Sequence, residues 1–174
     1  MRSTLPEGAR MISCTEFIWV YNELFRFIEE RGGEEQLIAF WKGIADEFLW
    51  NLREYVEKDG LEGMRRYWSH TLGEEGGRHR MTLYDDMFVI DMHECPSAKL
   101  IHESGRVRPF ERYCEHCLWL YPPILRELGY EVDYDLLSCE RGRCRLTVRK
   151  PRARGQHTEH GGGPAVEPGP DSGE

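Results

Sequence analysis

Apolar residues recur every three or four positions from residue 13 to residue 72, the spacing that gathers them on one face of an α-helix. The first run holds Phe17, Ile18, Tyr21, Leu24, Phe25 and Ile28; Ser13 and Glu16 open it in capping-box spacing, and Gly32 and Gly33 end it. A second stripe of Leu37, Trp41, Ile44, Ala45, Phe48, Leu52, Tyr55 and Val56 predicts about six helical turns before Asp59 and Gly60. A shorter third helix carries Leu61, Met64, Trp68 and Leu72. Trp19, Trp41, Trp50 and Trp68 lie within these helical runs, which reads as packing rather than as a flavin or haem pocket.

Past a polar loop from Gly73 to Arg80 the period shortens. Met81 to Tyr84 and Met87 to His93 flank Asp85 and Asp86, the pattern of a hairpin turned by its acids. Glu94-Cys95-Pro96 ends the second strand, and Pro96 suits the first turn of a helix that runs through Leu100 and Ile101 and stops near Gly105. Pro109 opens another helix through Phe110, Tyr113, Cys117 and Leu118. Pro122 and Pro123 predict an interruption there, since neither donates an amide and the second disfavours helical geometry at the first. The helix resumes to Leu128, with Gly129 as its cap. Tyr130, Val132, Tyr134 and Leu136 alternate with acids as a strand. After a turn from Cys139 to Cys144, a last strand places Cys144, Leu146 and Val148 on one face. This order predicts an α+β fold, N-terminal helices followed by a small antiparallel sheet with interleaved helices that cover one of its sides.

The single domain spans 13–150, with a helical part 13–72 and a cysteine-rich part 81–150, behind a short extension 1–12. In the last 24 residues ten are Gly or Pro and none is Leu, Ile, Met or aromatic, so 151–174 reads as a disordered tail and its His157 and His160 as solvated. With 23 basic against 31 acidic residues the net charge is −8, which argues against nucleic acid as a partner. No uncharged apolar run approaches about 18 residues and Met1 to Arg10 lacks the apolar middle of a signal peptide, so a cytoplasmic protein without a membrane partner is expected.

In that compartment six cysteines are thiols, metal ligands or redox groups before they are disulfides. Cys14 stands apart from Cys95, Cys114, Cys117, Cys139 and Cys144. Cys139 and Cys144 close the two ends of a hairpin turn, and Cys114 and Cys117 share a helical face. Four thiolates suit zinc, and the same count can hold an iron–sulfur cluster. A nucleophilic or redox cysteine without metal, and thiols that merely fill a core, stand beside those readings. His93, two residues before Cys95, and His116, between Cys114 and Cys117, are the candidate general bases. His70, His79 and His102 read as surface residues, Asp85 and Asp86 as turn residues, and Glu29, Glu30, Glu34 and Glu35 as solvated helix ends. No GxSxG, Walker loop, HExxH or strand-borne GxGxxG is present.

Asp86 to Pro96, Tyr113-Cys114 at a helix start, Leu137-Ser-Cys139 and Gly142-Arg-Cys144-Arg-Leu-Thr-Val together resemble the L-2-amino-thiazoline-4-carboxylic acid hydrolase family. More distantly they resemble the vinyl-reductase-like (hydrocarbon-binding) domains. The first resemblance implies opening of a sulfur-containing cyclic amidine by water. The second implies a small-molecule pocket beside a cysteine-rich zinc site, with Cys139 and Cys144 as the hairpin pair, Cys114 as the helix-start ligand, Cys95 as the fourth and Cys117 as an alternative to Cys114. Arg143 stands where those domains carry an acid. Zinc with three thiolates and a water would activate that water, four thiolates would close the site, and a metal-free thiolate would attack the ring carbon itself. The expected function is therefore a small-molecule hydrolase, with a ligand-sensing module built on structural zinc, possible as a homodimer, and an iron–sulfur or redox protein as the alternatives.

Overall fold

The computed structural model describes residues 12–151. The extension before Ile12 and the Gly/Pro-rich tail beyond Pro151, with His157 and His160, lie outside the described residues. The elements run α1 (Ile12–Phe48), α2 (Trp50–Glu75), β1 (Arg78–Leu83), β2 (Met87–Glu94), α3 (Pro96–Glu103), a 3-10 turn (Tyr113–Glu115), α4 (His116–Glu127), β3 (Glu131–Ser138) and β4 (Arg143–Arg149). This is the α+β order that the hydrophobic pattern predicts.

Both long helices are broken at glycine. Gly33 (φ 74°) divides α1 and Gly60 (φ 59°) divides α2, at the positions where the apolar stripes end. The stripe from Leu37 to Val56 passes through Leu49, where α1 gives way to α2 with little disturbance. The Leu49 amide still donates to the Ala45 carbonyl (3.4 Å), and the Arg53 amide to the Leu49 carbonyl (3.2 Å). Beyond Gly60 the second half of α2 runs to Glu75, past the expected end at Leu72.

The four strands form one antiparallel sheet in the order β1-β2-β4-β3. Register sets rows across it: Phe88, Val148 and Val132 form one, Ile90, Leu146 and Tyr134 the next, and Met92, Cys144 and Leu136 the third. These side chains face the helices. Leu52, Val56, Leu61, Met64 and Trp68 of α2 pack on the first two rows, with Trp68 stacked on Phe88 at 5.8 Å. Full burial of each such side chain contributes about 1.5–3 kcal/mol. The other face is polar: Arg145 pairs with Asp91 and Arg149 with Asp133, each at 2.5 Å. There β1 presents Arg78 and Arg80, and β3 presents Glu131, Asp133 and Asp135, all exposed.

A second core joins Phe25, Leu37 and Trp41 of α1 to Ala98 and Ile101 of α3 and to Phe110, Tyr113 and Cys114. Residues 104–112 form no helix, contrary to the start expected at Pro109; the chain becomes regular only at Tyr113. This segment is pinned by Asn22, which is fully buried: its Oδ1 accepts the Phe110 amide (2.8 Å) and its Nδ2 donates to the Arg108 carbonyl (2.9 Å). Nor is α4 interrupted at its prolines. Pro122 is buried beside Leu120, Ile124 and Leu125, and that apolar contact outweighs the missing amides.

Candidate functional site

The space between the two cores is a cavity of about 280 Å³. Its walls come from the third sheet row, from the ends of α2 and β2, and from the start of α4. Cys95, Cys114, Cys117, Cys144 and His116 line it, together with Tyr113, Tyr121 and Tyr134. Phe17, Glu75 and Arg143 also line it while being exposed, so they stand at its rim.

Each thiol is placed by a local reason. Cys95 precedes Pro96 at the start of α3 in extended geometry (φ −71°, ψ 127°), and its amide donates to the Gly142 carbonyl (2.9 Å). The Gly142 amide in turn donates to the Cys139 carbonyl (3.1 Å), closing the β3–β4 turn. Cys144 pairs with Leu136, but a register shift between Leu136 and Ser138 intervenes before the turn. Cys144 therefore lines the cavity, while Cys139 lies outside its lining and faces Cys114. The Cys114 amide donates to the Cys139 sulfur (3.3 Å), and the Cys114 thiol to the Cys139 carbonyl (3.6 Å).

The 3-10 turn directs His116. The Tyr113 carbonyl can only accept, so the His116 Nδ1 bonded to it carries the proton. Nε2 is then the acceptor and faces the Cys117 sulfur at 3.5 Å, an arrangement in which the thiol donates. The ring is wedged between Tyr113 (4.9 Å) and Phe25 (5.4 Å). Burial lowers the pKa of His116, against the opposing pull of the Tyr113 carbonyl, and keeps the imidazole neutral at pH 7.

Burial likewise keeps most of the thiols protonated. It raises Cys95 to about 11, partly offset by the amides of Ala98 and Ser97, and raises Cys117 and Cys144 to about 12, with the Tyr134 hydroxyl pulling both the other way. Bonding to Cys139 raises Cys114, and the same interaction holds Cys139 well below the ordinary thiol range, aided by the Cys114 amide and the neighbouring His102. Glu75 is raised by desolvation and by the charge of Glu74.

Of the expected site residues, then, Cys95, Cys114, Cys117, Cys144 and His116 share one cavity. His93 does not: on β2 it alternates with Met92 and is exposed on the opposite face of the sheet. His102, expected at the surface, is half-buried, and its Nε2 is buried without a hydrogen-bond partner among the described residues. Glu75 ends α2, within the stretch that the hydrophobic pattern predicts as a polar loop. Its signal was present, because it continues the spacing of Trp68 and Leu72 on α2.

The zinc site implied by resemblance requires three or four sulfurs to converge. Among the described residues no group of three or more His, Cys, Asp or Glu is placed to hold a metal ion. Cys114 and Cys139 face one another, whereas Cys117 and Cys144 face Tyr134. As placed, these thiols do not fit a zinc ligand set. Among the described residues no helix is long and apolar enough to cross a membrane. Comparison of the chain with protein-family models, curated proteins and solved structures found no match.

Proposed function

We propose that the protein is a small-molecule hydrolase that opens a cyclic amidine in the cysteine-lined cavity. The observation that carries this reading is the Cys117–His116 contact, a thiol hydrogen-bonded to a neutral imidazole of defined tautomer on the wall of a cavity that opens to solvent at its rim. The cavity is at the small end of ligand sites and suits a compact ring. At its rim Glu75 offers a carboxylate to an amidinium, and Arg143 a guanidinium to a ligand carboxylate. The resemblance to the thiazoline-carboxylate hydrolases adds the same substrate class.

In the free protein Cys117 is a thiol and a weak nucleophile. An amidinium beside it favours the thiolate by direct charge attraction. The sulfur attacks the amidine carbon, a C–S bond forms, and the thiol proton passes to Nε2 of His116. The imidazolium returns that proton to the departing ring sulfur or nitrogen as its bond to the carbon breaks. Water then cleaves the covalent adduct, with the neutral imidazole as base, and restores the thiol.

Full-length protein incubated with 2-aminothiazoline-4-carboxylate and related five-membered amidines should release ring-opened products. Cys117→Ser and His116→Gln should each lower kcat by roughly 10²-fold or more while retaining ligand binding. Saturable binding without turnover across the panel would instead favour the ligand-sensing module.

A further inference from the structure

We propose that Cys114 and Cys139 are a reversible dithiol–disulfide couple, oxidised by a low-molecular-weight disulfide. Their contacts are reciprocal, since each sulfur meets the backbone of the other residue, at 3.3 Å and 3.6 Å, and the two side chains also interact directly. This brings two thiols on chain segments 25 residues apart in sequence into direct contact, the proximity from which a disulfide can close. The pair is asymmetric in access: Cys114 is 7% exposed, whereas Cys139, on the turn after β3, is half-buried. It is asymmetric in chemistry as well. The Cys114 amide donates to the Cys139 sulfur and favours negative charge on it, and Cys139 is the more accessible of the two, which makes Cys139 the attacking group and Cys114 the resolving one.

The exchange balances in two steps. The Cys139 thiolate attacks one sulfur of the small disulfide, forming a mixed disulfide and expelling one thiolate. That thiolate takes up the proton of Cys114. The Cys114 sulfur then attacks the Cys139 sulfur and expels the second small thiolate, which is protonated from solvent. Two protein thiols have been oxidised and one small disulfide reduced to two thiols. The new bond ties the turn before α4 to the end of β3 and removes the Cys114 S–H from the cavity wall. The couple does not depend on what the cavity binds.

The test is oxidation of the full-length native protein with oxidised glutathione over a range of glutathione redox ratios. Samples are quenched by acid and alkylation and mapped by peptide mass spectrometry, with bound zinc measured on the same sample. The expected result is a Cys114–Cys139 crosslink that reverses with reduced glutathione, with loss of two titratable thiols per chain. In Cys114→Ser the glutathione adduct should persist on Cys139, and in Cys139→Ser oxidation at Cys114 should cease. The wild-type map decides the matter if either variant fails to fold. A persistent adduct on wild-type Cys139, a crosslink joining other cysteines, reaction only in denaturant, or zinc that protects both thiols would each overturn the proposal.

Discussion

The amide of Cys95 donates to the carbonyl of Gly142 across 2.9 Å, and this single bond fastens the end of β2 to the β3–β4 turn. Gly142 adopts φ 58°, and a Cβ there would lie 2.9 Å from both the Cβ and the amide nitrogen of Cys95. The position excludes a side chain twice over, by backbone conformation and by the closeness of Cys95.

Gly142→Ala should therefore lower stability by about 2 kcal/mol or more, from the left-handed backbone and the overlap together. Urea unfolding would show it as a lower midpoint with an unchanged slope. A midpoint equal to that of wild type would mean that the turn does not hold Cys95 as described.

Asn22→Leu should cost about 2 kcal/mol. It leaves the Phe110 amide without its acceptor and removes one of the donors to the Arg108 carbonyl, since Arg26 also reaches that oxygen. Hydrogen exchange should accelerate at Phe110 in particular. Protection there equal to wild type would show that another group holds the segment.

Alkylation should single out Cys139. A thiolate reacts above its pKa, so the iodoacetamide rate at Cys139 should reach half its plateau well below the pH at which an ordinary thiol does, whereas Cys95, Cys117 and Cys144 should remain slow up to about pH 11. Site-resolved mass spectrometry across pH reads the profile directly. Equal rates for all of these cysteines at neutral pH would contradict it.

His116 also makes stability depend on pH. Its folded pKa lies below the ordinary 6.5, so the unfolded chain takes up the proton first as pH falls. Its contribution is complete above about pH 6.5 and is lost progressively as pH falls towards the folded value. Glu75 acts with the opposite sign because its pKa is raised, so the informative quantity is the difference between wild type and His116→Gln. Unfolding free energies from about pH 7.5 to about pH 5 should fall more steeply with acid for wild type. Parallel curves would count against a buried neutral imidazole.

Periodicity made the architecture legible because burial selects faces. Gly33 and Gly60 broke the stripes where the helices break, and alternation located the inward rows of β3 and β4, while β1 begins at Arg78 inside the stretch that reads as a polar loop. It did not reveal that α4 continues through Pro122 and Pro123, since the gain comes from partners distant in sequence. The site was legible as a set of residue types rather than as an arrangement. Cys139 and Cys144 look equivalent at the ends of one turn, yet the register shift after Leu136 sends them to different neighbours. Similarly, the His116 tautomer depends on the Tyr113 carbonyl, which becomes available because a 3-10 turn precedes α4. His102 reads as polar surface until α3 is packed against the second core.

The charged rows on the open face of the sheet govern how two copies can meet. A twofold pairing through β1 would set Arg78 and Arg80 against their own equivalents, and one through β3 would oppose Glu131, Asp133 and Asp135 in the same way. Like charges directly across a strand pair are unfavourable, so both symmetric routes to a continuous eight-stranded sheet are penalised. Raising the salt concentration would relax that penalty and should increase edge-to-edge self-association.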